Sequence, residues 1–122
     1  MDQKKVVINL VTGHEDSERV TIAFLTATAA LTAGKRVVMF LTKEAVRLAT
    51  PGYADAVEAA GAPPVERLFA QFAEGGGELW ACPICFEARK LDPEMLVPNA
   101  RLAGATPLWE FIGDDDATVF SY

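Results

Sequence analysis

Short apolar runs rich in β-branched residues alternate along the chain with segments in which apolar residues recur at helical spacing. Such runs are typical of strands buried on both faces, as found in parallel sheets covered by helices. The predicted strands comprise residues 6–11, 36–41, 78–82, 100–103 and 117–122. We therefore predict an α/β fold with three layers, α/β/α, around a parallel sheet of about five strands with right-handed crossovers.

Capping residues, prolines and glycines mark the predicted helices between these strands. The first helix is expected to begin after Asp16 and Ser17 and to end at Gly34. Further helical segments are predicted at residues 43–48, after Pro63 and Pro64, from Pro83, after Asp92 and Pro93, and from Thr106 to Gly113. On the first helix, Ile22 and Leu25 belong to a second apolar strip, wider than one sheet face needs. Part of this helix is therefore expected to face another subunit.

Length and charge limit the classes of protein to which the chain can belong. Its 122 residues fit one domain, which we expect to span residues 1–122, and 51% hydrophobic residues are enough to form a core. With 17 acidic and 11 basic residues the net charge is −6. An acidic chain is poorly suited to a phosphate backbone, so we do not expect nucleic acid as a partner.

Targeting signals and cysteine content indicate the compartment. Residues 6–11 lack the features of a signal peptide, and the apolar run at 37–41 is far shorter than the roughly 20 residues that a membrane span needs. We expect no membrane association. The two cysteines, Cys82 and Cys85, are too few and too close together to be the disulfide framework of a secreted mini-protein. These features predict a cytoplasmic protein.

The two cysteines lie at the predicted junction between the third strand and the following helix. In an open parallel sheet, reactive groups collect at the carboxyl ends of the strands. A thiol at a helix N-terminus lies near free N–H groups and the positive end of the helix dipole, which stabilise its thiolate. Cys82 is therefore the candidate nucleophile, and Cys85, one turn into the helix, is the candidate resolving thiol. The alternative is that both are small apolar residues that fill the core.

Two further side chains, His14 and Lys43, follow the first and second strands on the same edge. His14 is a candidate base or thiolate partner, and Lys43 is a candidate source of positive charge. The simpler interpretation of each is an exposed, solvated residue. For both residues the sequence leaves the two interpretations open.

Metal and cofactor sites are not expected within one subunit. The two cysteines supply only half of the roughly four ligands of a structural zinc site. A site shared between subunits, with His14 or acidic groups added, is an alternative. The turn at residues 12–15 lacks a glycine-rich fingerprint and is partly acidic, so it is poorly suited to a phosphate or a dinucleotide. We expect no bound cofactor.

Four segments together resemble a known family. They are Thr12 and Gly13 after the first strand, the end of the Ala-rich helix at residues 33–35, the strand at 37–41 and the cysteine segment at 81–89. These segments are similar to those of the DsrE/DsrF-like family, which includes TusD-type sulfur-relay subunits and YchN-like proteins. Cys82 matches the family's cysteine and Arg89 its arginine, whereas Lys90 stands where the family has glycine. Cys85 is an addition relative to the TusD-type pattern.

The resemblance implies a parallel five-stranded α/β fold and assembly into trimers, hexamers or related oligomers. For the sulfur-relay members it also implies a persulfide on the matching cysteine. We therefore expect a persulfide carrier or sulfurtransferase that uses Cys82, with Cys85 as resolving thiol, and exchanges sulfur with donor and acceptor proteins. The alternative, from another functional class, is an oligomeric binding or redox-sensing module in which the cysteines pack or regulate.

Overall fold

The computed structural model describes residues 3–122 and contains one sheet of five parallel strands. The strands are β1 (Lys5–Leu10), β2 (Arg36–Leu41), β3 (Glu78–Ala81), β4 (Ala100–Leu102) and β5 (Thr118–Ser121). Their order in the sheet is β4-β3-β2-β1-β5, and each neighbouring pair is parallel. The predicted α/β fold with a parallel five-stranded sheet is confirmed.

Four α-helices and three short 3₁₀ segments connect the strands. The helices are α1 (Ser17–Thr32), α2 (Val65–Glu74), α3 (Pro83–Ala88) and α4 (Ala105–Ile112), and the 3₁₀ segments are His14–Asp16, Lys43–Ala49 and Tyr53–Ala56. The predicted limits of α1 are correct: Asp16 Oδ1 accepts a hydrogen bond of 3.0 Å from the Arg19 backbone N–H, and Gly34 has a φ of 83° just beyond the helix. Within residues 3–122, no helix combines the length and apolar character needed to cross a membrane.

The main core lies on one face of the sheet, between the strands and a layer that includes α1 and α2. Alternate residues of β1 and β2 enter it, together with apolar residues of both helices and of the 3₁₀ segments. Phe24 of α1 and Phe72 of α2 are fully buried there, with their rings edge to face and their centroids 5.8 Å apart. This face therefore contains most of the buried apolar surface.

The opposite face packs on α4 and holds a second, smaller core. Its buried residues are Val7, Val38, Trp80, Ala103 and Phe111. Trp80 and Phe111 meet edge to face, with ring centroids 5.7 Å apart. Phe40 on this face is only half-buried. The two outer layers of the fold therefore differ in thickness.

The helix predicted after Asp92 and Pro93 does not form, so that expectation is wrong. Asp92 Oδ1 accepts a hydrogen bond of 2.9 Å from the Glu94 backbone N–H, and the Met95 N–H donates to the Asp92 carbonyl at 3.0 Å. The residues form a turn. An Asp-Pro pair begins turns as readily as helices, and here no run of apolar residues at helical spacing follows it.

Candidate functional site

The loops that carry the candidate residues leave the sheet at its carboxyl edge, from three neighbouring strands. His14 follows β1, Lys43 follows β2 and Cys82 follows β3. Backbone hydrogen bonds continue past the strand ends: the Cys82 N–H donates to the Leu41 carbonyl at 2.9 Å, and the Thr42 N–H donates to the Leu10 carbonyl at 3.1 Å. The sheet therefore fixes the backbone from which each of these loops begins.

Cys82 occupies the N-cap position of α3. The Phe86 N–H donates to the Cys82 carbonyl at 3.0 Å, and Pro83 begins the helix, where its missing N–H costs nothing. The Cys82 side chain makes no capping hydrogen bond. Cys82 and Cys85 are both free thiols, half-buried and packed against the main core. Cys85 follows three residues later, in the first turn of α3.

The end of α3 is held by an ion-pair network that sequence reasoning missed. Glu44 Oε2 accepts hydrogen bonds from Arg89 Nε at 2.7 Å and from Arg47 Nε at 2.9 Å. The hydrogen bond from Arg89 has the largest effect on the pKa of Glu44, and it and the bond from Arg47 both lower that pKa. Arg89 Nη1 also donates to the Cys85 carbonyl at 3.2 Å. The network thus ties the cysteine helix to the 3₁₀ segment after β2.

One contact of this network, between Glu44 and Arg47, could be predicted from the sequence. Glu44 and Arg47 are three residues apart, a spacing at which opposite charges meet on one side of a helical turn. The partner Arg89 is 45 positions from Glu44 in the chain. No local pattern indicates that contact.

His14 is held against Tyr53. The two rings are stacked, with centroids 3.6 Å apart and an interplanar angle of 2°. The His14 backbone N–H donates to the Tyr53 hydroxyl at 2.8 Å, and His14 Nε2 lies 2.8 Å from the Tyr53 carbonyl oxygen. Because a carbonyl oxygen only accepts, Nε2 is the donor in this contact. The role of His14 as a base or thiolate partner stays a prediction. Burial raises the pKa of the Tyr53 hydroxyl.

Lys43 is exposed and has a φ of 52°, in the left-handed region. It is the first residue of the 3₁₀ segment Lys43–Ala49, which follows β2 after Thr42. Its role in charge stabilisation stays a prediction. Within residues 3–122, no three His, Cys, Asp or Glu side chains are grouped closely enough to hold a metal ion.

The fold and the cysteine segment place the chain in a defined class of small proteins with a parallel five-stranded sheet. The model of the DsrE/DsrF-like family matches residues 4–120, and the chain belongs to this family. The family is associated in general with sulfur relay. No curated protein matches the chain.

Solved structures share this fold. The YchN protein of Escherichia coli is similar with a TM-score of 0.77 and 15% identity, covering 99% of this chain and 100% of that one. The protein of unknown function MTH1491 of Methanobacterium thermoautotrophicum has a TM-score of 0.68 and 13% identity, over 96% and 99% of the two chains. BT1422 of Bacteroides thetaiotaomicron, a conserved protein of unknown function, has a TM-score of 0.63 and 17% identity, over 98% and 95%. At these identities the likeness shows the fold alone.

Proposed function

We propose that the protein is a cytoplasmic persulfide carrier or sulfurtransferase in which Cys82 receives the sulfur. The family's general association with sulfur relay supports the functional class. The observation that carries the proposal is the place of Cys82, a free, half-buried thiol at the N-cap of α3, immediately after an interior strand of the sheet. The first N–H groups of a helix have no intrahelical acceptor, and a cysteine at this position is placed where catalytic thiols are commonly found.

The loading step is a thiol exchange. The Cys82 thiolate attacks the outer sulfur of a donor persulfide, so that a new S–S bond forms on Cys82 and the S–S bond of the donor breaks. The donor leaves as a thiolate, and the outer sulfur keeps its oxidation state. The product is a persulfide on Cys82, and no external oxidant or reductant is needed for this step.

Cys85 supplies a route for release. Its thiolate attacks the inner sulfur of the Cys82 persulfide, which forms a disulfide between the two cysteines and expels hydrosulfide. The two cysteines are oxidised and the transferred sulfur is reduced, so an external dithiol must then reduce the disulfide. In the alternative release, a thiolate of an acceptor protein attacks the outer sulfur and restores the Cys82 thiolate directly.

Intact-mass measurement after incubation with inorganic polysulfide tests the assignment of the two roles. We expect the wild type to gain the mass of one sulfur atom, Cys82→Ser to gain none, and Cys85→Ser to load normally and keep its persulfide longer. At neutral pH, Cys82 should also be alkylated faster than Cys85. A wild type that gains no sulfur at any pH from mildly acidic to alkaline would contradict the carrier proposal.

A binding or redox-sensing module is the second candidate, and one observation favours it. Both cysteines pack against the main core, as do cysteines that only fill space. Slow, equal alkylation of Cys82 and Cys85, without sulfur loading, is the result expected for this alternative. The same time course therefore separates the two functions.

We also propose that the protein forms a homo-oligomer, a trimer or a hexamer, and exchanges sulfur with donor and acceptor proteins. The exposed apolar side chains of α1 support self-association: Ile22 is 43% exposed and Leu25 is 39% exposed. Light scattering at micromolar concentration tests it. A monomer under these conditions would contradict the proposal.

A further inference from the structure

A groove lies on the α4 face of the sheet, and neither cysteine is among its lining residues. Its volume is about 470 Å³, within the range of small-molecule pockets. Lys5 and Arg36 line it from the amino ends of β1 and β2, and Arg101 lines it from β4. Glu110 of α4 is the acidic residue of its lining. The groove therefore collects three cations in a chain whose net charge is −6.

Two of these cations lie beside one another over the Phe111 ring, whose centroid is 5.4 Å from Lys5 Nζ. Lys5 and Arg36 are register partners on adjacent strands, so their like charges lie side by side. Asp115 partly offsets this repulsion, because its carboxylate lies 2.8 Å from Lys5 Nζ. No carboxylate of residues 3–122 lies within 4.0 Å of the Arg36 guanidinium. Arg36 is thus the groove cation that makes no ion pair within this distance in the described part of the chain.

The two guanidinium groups of the groove are held by the aromatic pair beneath them. Arg36 Cζ lies 4.9 Å from the centroid of the Phe111 ring, and Arg101 Cζ lies 4.2 Å from that of the Trp80 ring. The two rings are in edge-to-face contact and are buried, so they form a rigid floor. Stacking on an aromatic face leaves the N–H edges of a guanidinium free to donate. The cation–π contacts therefore favour positions of both guanidinium groups above the rings, within the groove.

Three carboxylates, Glu78, Glu110 and Asp115, equal the three cations of the groove in number, but they are paired unevenly with them. Arg101 Nε is 3.6 Å from Glu78 Oε1, and the Arg101 side chain is 57% exposed. An exposed ion pair of this length is weak and exchanges readily with another anion. Lys5 is more firmly held, because its Nζ also donates to the Ile112 carbonyl at the end of α4 at 3.4 Å. Lys5 therefore supports the groove wall, and the arginines are free to bind.

We propose that this groove binds a small organic anion through its phosphate or carboxylate groups, with Arg36 and Arg101 as the binding residues. Guanidinium groups donate paired hydrogen bonds to both kinds of oxyanion. The cysteines lie beyond the carboxyl ends of the strands, whereas Lys5 and Arg36 begin β1 and β2. Neither cysteine lines the groove, and anion binding does not depend on the proposed sulfur chemistry.

Calorimetric titration of the full-length protein with pyrophosphate and with citrate, at low salt, tests the proposal. We expect saturable binding of at least one anion with a Kd below about 1 mM. Arg36→Gln should weaken it about tenfold or more, whereas Arg36→Lys, which keeps the charge but loses the planar fork, should weaken it less. The control is Arg67→Gln on α2, which removes the same charge from an exposed position outside the groove.

The outcomes separate specific binding from general attraction. Binding of pyrophosphate alone identifies a phosphate site, and binding of citrate alone identifies a carboxylate site; each supports the proposal. Equal weakening by Arg36→Gln and Arg67→Gln would overturn it, because the effect would then follow net charge. The absence of saturable binding of either anion to the wild type would also overturn it.

Discussion

The two faces of the sheet are covered to different depths. The face toward α1 and α2 has a continuous core drawn from both helices, the strands and the 3₁₀ segments, whereas the α4 face has five buried residues and a groove. A thick layer encloses more apolar surface, and a thin layer leaves polar side chains of the strands within reach of solvent. The comparison indicates that the first face supplies most of the stability and that the second has room for binding.

The substitution with the largest expected effect on stability tests this difference between the two faces. Phe72→Ala removes a ring that is fully buried against Phe24, and we expect it to lower the free energy of unfolding by about 4 kcal/mol. Phe111→Ala on the α4 face should cost about 3 kcal/mol or less, because its ring lies near the groove, where the surroundings relax and water enters. Urea unfolding measures both. A greater loss for Phe111→Ala would reverse the comparison.

A smaller loss of stability is expected from a substitution at the carboxyl edge of the sheet, next to the candidate site. A Cβ at Gly13 would collide with the Tyr53 hydroxyl and press on the Glu44 carbonyl. We expect Gly13→Ala to destabilise the fold by about 1–3 kcal/mol in urea unfolding. The control is the same change in a Tyr53→Phe background, where the hydroxyl is gone. If the cost of Gly13→Ala is the same in both backgrounds, the collision is not its cause.

The network around Glu44 should contribute less, and its contribution depends on pH. Because the folded state lowers the pKa of Glu44 below its ordinary 4.5, the stabilisation is present above pH 4.5 and is lost as the pH falls through the folded pKa. Glu44→Gln should therefore cost about 0.5–1 kcal/mol at neutral pH, since the carboxylate is partly exposed, and less in acid. Unfolding across this pH range measures the difference.

Glu58→Gln, at an exposed position, is the matched control for that series. It removes the same charge without touching the Arg47 and Arg89 pairs, so it should change stability little at any pH. A pH dependence shared by Glu44→Gln and Glu58→Gln would assign the effect to net charge. The network would then not be responsible.

The smallest effect on folding is expected at the exposed apolar side chains of α1. Replacing Ile22 and Leu25 by Gln should change monomer stability by no more than about 0.5 kcal/mol for each residue, because both side chains reach solvent. It should nevertheless lower the oligomer mass measured by light scattering. Trp109→Gln on α4, at a position 70% exposed, is the control and should leave the mass unchanged. The opposite pattern would place the subunit contact on the α4 face.

Much of the fold could be predicted from local signals. The strand at Arg36–Leu41 and the helix at Ser17–Thr32 follow from apolar periodicity and from the Asp16 cap, which act over a few residues. The turn at Asp92 was mistaken for a helix start because the same Asp-Pro pair suits both. The positions of Cys82 and Cys85 next to a strand end and a helix start were also predictable, since both boundaries have local markers.

The sequence by itself determined the type and order of the strands and helices and the place of the cysteine pair along the chain. The tertiary structure decided the strand order, the thinner α4 face and the contacts that join distant residues, such as Glu44 with Arg89 and Lys5 with Arg36. The physical reason is the range of the interactions. Capping and periodicity act within a few residues, whereas a contact across tens of positions depends on how all the strands pair and pack.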